Sequence, residues 1–235
     1  MYKITLENIT HSYGDKEVLQ NFSFSFQQGK ITCLLGPSGC GKTTVLRLVA
    51  GLEKPSAGMV KINGSVVSKN GEILLPPHQR KIGFVFQDLA LWPHFTVFDN
   101  IAFALKEKKE DNIKDKVTEL LDLFGISNKA PKYPHQLSGG QKQMVAIARS
   151  LIMKPEILLM DEPMANIDIQ LKENILNHLL KIHQQQKFTM LYVTHDHREA
   201  LKTGDEIIIM NTGKIETAGT KEEIRNSTNS FLQFY

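Results

Sequence analysis

The sequence predicts an α/β fold with a mainly parallel core sheet, an N-terminal antiparallel β subdomain and an inserted helical subdomain. Three observations carry this expectation. Runs that are apolar almost throughout, Ile31-Thr32-Cys33-Leu34-Leu35, Ile157-Leu158-Leu159-Met160 and Thr189 to Val193, read as strands buried on both faces. Helical patterns separate them, which is the alternation of a parallel sheet. A long helical stretch between about residues 88 and 153 interrupts that alternation. The expected organisation is therefore one domain, with residues 1–87 and 154–235 forming the core and the β subdomain, and 88–153 forming the helical insertion.

Taken in order, Tyr2, Ile4 and Leu6 alternate on one face, and Phe22, Phe24 and Phe26 repeat the pattern, as antiparallel strands covered on one side do. After the strand at 31–35 comes a glycine-rich turn, then a helix over Lys42 to Ala50. Pro55 to Gly58 marks a turn, and Asn70-Gly71 is a hairpin signal. Arg80 to Phe86 reads as a strand. From Val97 to Phe124, apolar residues recur at helical spacing, and Gly125, Pro131 and Pro134 break the pattern. A further helix is expected from Gly139 to about Met153, ended by Pro155, and another from Gln170 to Gln184. Strands near Glu206–Met210 and Lys214–Thr217 flank a Thr212-Gly213 turn.

The composition narrows the function classes. Lys plus Arg number 28 against 25 Asp plus Glu, a net charge of +3 with no concentrated basic stripe, so nucleic acid is not an expected partner. No apolar run approaches the ~20 residues of a membrane span. No secretory leader is legible. The two cysteines, Cys33 and Cys40, are too few for a disulfide framework, which suits the cytoplasm.

Gly36-Pro37-Ser38-Gly39-Cys40-Gly41-Lys42-Thr43 satisfies G-x-x-x-x-G-K-[ST] between a buried strand and a helix, the context that gives this motif meaning. The glycines let the backbone turn its N–H groups toward phosphate oxygens, and the helix start adds its positive end. Lys42 is expected on the β- and γ-phosphates, Thr43 on Mg²⁺, and Thr44 completes the binding run. The strand 157–160 delivers Asp161 and Glu162 at its C-terminal end, where ligands of open α/β sheets bind. Asp161 suits Mg²⁺, and Glu162 suits the attacking water. A bulky thiol reagent on Cys40, inside the cradle, is expected to block nucleotide binding.

Thus far the pattern is that of a P-loop NTPase, a class that includes kinases, GTPases and helicases. Leu137-Ser138-Gly139-Gly140-Gln141, about twenty residues before Asp161, resembles the signature motif of ATP-binding-cassette proteins, and the likeness covers essentially the whole chain. That resemblance implies the ABC-ATPase form of the P-loop NTPase fold, with ATP and Mg²⁺ as ligands. It implies that Tyr13 stacks on adenine, that Gln87 touches Mg²⁺ and the attacking water, and that His195 contacts the γ-phosphate. Glu162, His195, Gln87 and Lys42 form the implied catalytic group, with Thr43, Gln87 and Asp161 toward the metal. In the implied ATP-dependent homodimer, each nucleotide also meets Ser138, Gly139, Gly140, Gln141 and Asp168 of the other copy.

Phe84-Val85-Phe86-Gln87, Leu91-Trp92-Pro93-His94-Phe95-Thr96-Val97 and Asn100-Ile101-Ala102-Phe103 resemble the importer group serving sugars, polyamines, ferric iron, sulfate, molybdate and thiamine. The implied partners are integral membrane permease subunits, contacted around Trp92–Phe95, and through the complex an external substrate-binding protein. The implied location is peripheral, on the cytoplasmic face of the inner membrane. Two departures stand out. The chain ends soon after Gly219 to Ile224, without the C-terminal regulatory domain many members carry, and Ala165-Asn166 replaces the more usual Ser-Ala or Ser-Asn. The alternatives are a cassette serving an exporter, a lipoprotein-extraction or a division complex, and a soluble cassette acting on DNA or ribosomes.

Overall fold

The computed structural model describes residues 2–165 and 167–226. Asn166 and residues 227–235, which the sequence expectations touch, lie outside the described residues. The chain begins with two long strands, β1 (Tyr2–Tyr13) and β2 (Lys16–Gln27), joined through Gly14 in the left-handed region. Then follow β3 (Ile31–Leu35), α1 (Lys42–Ala50), β4 (Ala57–Ile62), β5 (Ser65–Lys69), β6 (Glu72–Ile73) and β7 (Ile82–Val85). The helices α2 (Val97–Glu107), α3 (Ile113–Leu123) and α4 (Gly139–Leu151) come next. The remainder runs β8 (Ile157–Asp161), α5 (Ile169–Gln186), β9 (Thr189–Thr194), α6 (His197–Thr203), β10 (Glu206–Asn211), β11 (Lys214–Thr220) and α7 (Lys221–Asn226).

Two sheets result. One is antiparallel, in the order β2-β1-β4-β5-β6; the other has the order β11-β10-β3-β9-β8-β7 and is parallel except for the β10–β11 hairpin. The buried strands explain how the layers stack. Along β3, β8, β9 and β10 successive side chains enter different cores. Cys33, Leu35, Leu158, Met160, Met190, Tyr192, Ile207 and Ile209 join a core with the helices α2 to α6. Leu34, Ile157, Leu159, Leu191, Val193, Ile208 and Met210 join a second core with α1 and the antiparallel sheet. A parallel sheet covered on both faces needs apolar residues at every position, which is the pattern these strands show.

Several expectations shift by their local physics. The expected turn at Pro55–Gly58 stops at Ser56: Gly58 lies inside β4 at φ +87°, opposite a register shift in β1, where an added Cβ would sit 2.3 Å from Asn8 O. The helical region 97–124 is two helices, separated by residues 108–112, with Lys109 and Asn112 at positive φ. The strand expected over 80–86 is only Ile82–Val85, because Lys81 has φ +54° and Arg80 keeps helical backbone at the end of a 3-10 turn, its side chain turned inward. Its guanidinium donates to Leu48 O and Val49 O at the end of α1, and to Leu75 O, Val67 O and Ser68 Oγ. Those bonds add a charged donor to carbonyls at the helix end and fasten α1 to the antiparallel sheet. Both expected hairpins, Asn70-Gly71 and Thr212-Gly213, have two residues at positive φ, as a tight hairpin turn requires. Among the described residues, no helix is long and apolar enough to cross a membrane.

Candidate functional site

The loop between β3 and α1 owes its shape to glycine. Gly36, Gly39 and Gly41 have φ of +157°, +80° and +104°. A Cβ on Gly36 would lie 2.3 Å from Met210 O, and one on Gly41 would lie 2.7 Å from Leu19 Cδ2, so both positions are closed to other residues by packing as well as by conformation. Gly41 caps α1 without any side-chain hydrogen bond, so the helix start offers its positive end to a ligand rather than to its own chain. Lys42, buried at 4% exposure, curls back over the loop, its ammonium donating to Gly36 O at 2.7 Å and Pro37 O at 2.9 Å. Pro37, Ser38 and Gly39 form the exposed crest.

Cys40 does not line the crest. Its side chain is buried in the core beneath the loop, 3.8 Å from Lys42 Nζ, and burial pushes the thiol's pKa up, against the opposing pull of Lys42. Its place in a ligand site is therefore through the backbone. The block expected from a thiol reagent should therefore develop slowly, since the thiolate is the reactive form.

Where α1 meets the end of β8, Thr43 Oγ1 donates to Asp161 Oδ1 at 2.8 Å. Burial raises the Asp161 carboxyl above its usual range; the Thr43 bond offsets part of this, and the Glu162 charge adds to it. The chain then leaves the sheet abruptly. Glu162 adopts φ +44°, an uncommon conformation for a residue with a side chain, while its N–H still reaches Val193 O at 3.1 Å. That twist aims its carboxylate at His195, which follows β9: His195 Nδ1 lies 3.1 Å from Glu162 Oε2. The imidazole is 60% exposed.

The remaining expected residues lie apart from this cluster. Tyr13 approaches the cradle helix, its hydroxyl 3.5 Å from Thr44 Oγ1, and donates to Glu53 while its ring meets the edge of His11. Its exposed ring face suits a stacking partner. Gln87 is exposed two residues past β7. Ser138 begins α4 in a reciprocal cap: its Oγ accepts from Gln141 N at 3.4 Å, and Ser138 N donates to Gln141 Oε1 at 3.1 Å. Gly139 faces open space, whereas a Cβ on Gly140 would lie 2.1 Å from Leu171 Cδ2, so Gly140 serves packing against α5. Asp168 caps α5 by accepting from Leu171 N at 2.9 Å. Among the described residues, no hydrogen bond or ion pair joins Gln87, Ser138, Gln141 or Asp168 to the cluster of Lys42, Thr43, Asp161, Glu162 and His195.

Sequence reasoning missed the residues that shape the segment after Gln87. Asn100 of α2 accepts from Trp92 N and donates to the carbonyls of Trp92, Phe95 and Thr96. Arg149 of α4 donates to Leu89 O and Ala90 O and lies 4.9 Å from the Trp92 ring centre. Trp92 and Phe95 are half-buried against each other and Phe103, while Pro93 and His94 are exposed.

Comparison with known proteins agrees with this geometry. The ABC transporter family matches residues 19–165. The chain is 43% identical to the spermidine/putrescine import ATP-binding protein PotA of Thermotoga maritima, over 96% of this chain and 60% of that protein. It is 44% identical to the sulfate/thiosulfate import ATP-binding protein CysA of Escherichia coli, over 94% of this chain and 61% of that protein. The chain thus spans about three fifths of the length of these curated relatives. Among solved structures, a dimeric ATP-binding cassette in a post-hydrolysis state, bound to ADP and Pi, superposes with a TM-score of 0.82 at 32% identity, over 93% of this chain and 98% of that one. With a glycine-shaped loop ahead of α1, an Asp-Glu strand end and a self-capped Ser-Gly-Gly-Gln helix start in one α/β fold, the chain belongs to the ABC transporter family.

Proposed function

We propose that this chain is the ATP-binding and ATP-hydrolysing subunit of a binding-protein-dependent importer, working as a head-to-tail pair. The observation that carries this reading is the meeting of the two halves of a nucleotide site: Thr43 of the cradle helix is bonded to Asp161 at the sheet's C-terminal edge, with Lys42 and Glu162 beside them. The dimeric, ADP- and Pi-bound neighbour supports the nucleotide and the pairing.

The residues present fit MgATP. Among the described residues, Lys42 is a buried ammonium held by carbonyls and a thiol, an arrangement that an anion completes. Asp161 is a carboxylate whose raised proton affinity a cation would relieve. Thr43, Asp161 and Gln87 would hold Mg²⁺, which when bound neutralises phosphate charge as the γ-phosphoryl leaves. The adenine stacks on Tyr13. Gly36 to Thr44 wrap the phosphates with backbone N–H groups, and Lys42 sets the γ-phosphate in line. Glu162 accepts a proton from the attacking water, and His195 donates to the γ-phosphate. The other copy closes the site with Ser138, Gly139, Gly140, Gln141 and Asp168. Loss of the γ-phosphate removes the contacts that join the two copies.

Residues 88–153 form the helical subdomain against a core of 1–87 and 154–235, and the segment Trp92–Phe95 receives the membrane permease. An external binding protein completes the complex at the inner membrane. The cargo is chosen elsewhere in that complex. The polyamine and sulfate proteins carry cargoes of opposite charge in their names, yet this chain is 43% and 44% identical to them.

The direct test is Glu162→Gln. ATP binding should persist, and turnover should fall by about 100-fold or more, the usual loss on removing a general base. Near-parental turnover removes Glu162 from that role.

A further inference from the structure

Beneath the Glu162–His195 pair lies a cavity of about 140 Å³ whose wall includes Lys172, Thr194 and Glu199. Its charged groups form one connected unit. Glu199, 5% exposed, accepts from Tyr192 Oη and from Thr194 Oγ1, each at 2.9 Å, on Oε2. Its other oxygen lies 2.6 Å from Lys172 Nζ, which is also 3.4 Å from Asp196 Oδ2. Asp196 caps α6 by accepting from Arg198 N and Glu199 N, and its own N–H donates to Thr194 Oγ1 at 3.0 Å. Both oxygens of this buried carboxylate are therefore engaged, the condition under which a buried charge specifies a single arrangement.

The unit has a particular position. His195 sits between Thr194 and Asp196, and both neighbours are bonded into it. Lys172 lies one turn along α5 from Asp168, its N–H donating to Asp168 O at 2.9 Å. One half-buried ammonium thus ties the turn that carries His195 to the helix start that carries Asp168. Burial would lower the Lys172 pKa, but the bonds to Glu199 and Asp196 outweigh it and hold the ammonium charged. A second tie between the same helices, Lys202 to Glu173 at 3.7 Å, is exposed and long, and pairs of that kind contribute little.

We propose that Lys172 and Glu199 are positioning residues that lock the His195 turn to the Asp168 end of α5, so that the γ-phosphate contact and the segment crossing to the other copy move as one body. This rests on the roles proposed above for His195 and Asp168. The pair touches no substrate and acts only through those two residues.

The test is Lys172→Met in the full chain, assayed for steady-state ATP hydrolysis. Turnover should fall about tenfold, the scale of a small misplacement of a catalytic group. KM for ATP should stay within about twofold, since transition-state contacts alone are disturbed. Lys172→Arg should restore most of the turnover, and Lys202→Met should leave it unchanged. On a His195→Ala, Asp168→Ala double background, Lys172→Met should cost less than about twofold more, because both residues it acts through are gone. Turnover within about twofold of the parent in Lys172→Met overturns the proposal, as does a full additional loss on the double background. If Lys172→Met does not fold, Glu199→Gln, which keeps the shape and can still accept from Tyr192 and Thr194, is judged by the same criteria. An NMR readout separates this proposal from the function. The His195 imidazole resonance of the nucleotide-free chain should shift or split in Lys172→Met, and an unchanged resonance overturns the pair. A parent chain without ATP hydrolysis overturns the functional reading instead.

Discussion

Two glycine-bearing helix starts, α1 and α4, face opposite tasks with opposite local chemistry. The α1 start has Gly41 at φ +104°, no side-chain cap, and a buried ammonium resting on loop carbonyls. The α4 start is capped by its own Ser138 and Gln141, and its two glycines have ordinary helical backbone. The first leaves its N–H groups free of side-chain caps; the second is capped by its own residues. The difference teaches which half of the composite site binds alone. On the proposed function, the cradle would hold nucleotide within one chain, and the α4 start would meet a ligand only when a second copy brings one.

The largest expected effect that sharpens this contrast is Lys42→Ala. Truncating one partner of a buried charge contact costs about 2 kcal/mol or more, so ATP affinity should fall by roughly 30-fold or more in a fluorescent-nucleotide titration. Parental affinity in that variant removes the asymmetry. Next comes Gly140→Ala, whose Cβ must displace Leu171. It should lower stability by about 1–3 kcal/mol in urea unfolding without changing ATP affinity. Ser138→Ala removes one helix cap and should cost about 1 kcal/mol, seen as a melting temperature about 2–4 °C lower. Gly139→Ala, in open space, serves as its control.

The smallest effect is electrostatic. A carboxyl whose pKa is raised on folding binds more protons folded than unfolded, so its presence subtracts stability as pH climbs above the unfolded value. Asp161, raised by burial, therefore destabilises the nucleotide-free chain at neutral pH. Asp161→Asn should raise the melting temperature of that state at pH 7, with the gain fading toward pH 4, and should abolish further stabilisation by MgATP. A lowered melting temperature at pH 7 contradicts the burial cost.

Much of this was legible in the sequence where the rule is local. The doubly buried strands, the two hairpin turns, the cradle and the Asp161-Glu162 strand end each follow from a few adjacent residues. What escaped depends on tertiary neighbours. Gly58 reads as a turn residue but is demanded by the close approach of β1. Asn63-Gly64 makes a third hairpin of the same kind, with both residues at positive φ, and that dipeptide was available as a signal. Lys172, Glu199, Asn100 and Arg149 look like polar residues on solvated helix faces; only the packed fold shows that charged groups, hydroxyls and backbone groups beyond their own helices satisfy their side chains. Cys40 sits in the motif, yet the loop's path turns its thiol into the core.

The central claim, cradle binding in one chain and closure by the α4 start of another, is tested most directly by sedimentation in the Glu162→Gln background with and without MgATP. The chain should sediment as a monomer without nucleotide and as a dimer with it. Adding Lys42→Ala should remove both bound ATP and the dimer, whereas adding Ser138→Arg should remove the dimer alone and leave one ATP per chain. An ATP-dependent dimer that survives Ser138→Arg, or ATP binding lost along with it, would contradict the account.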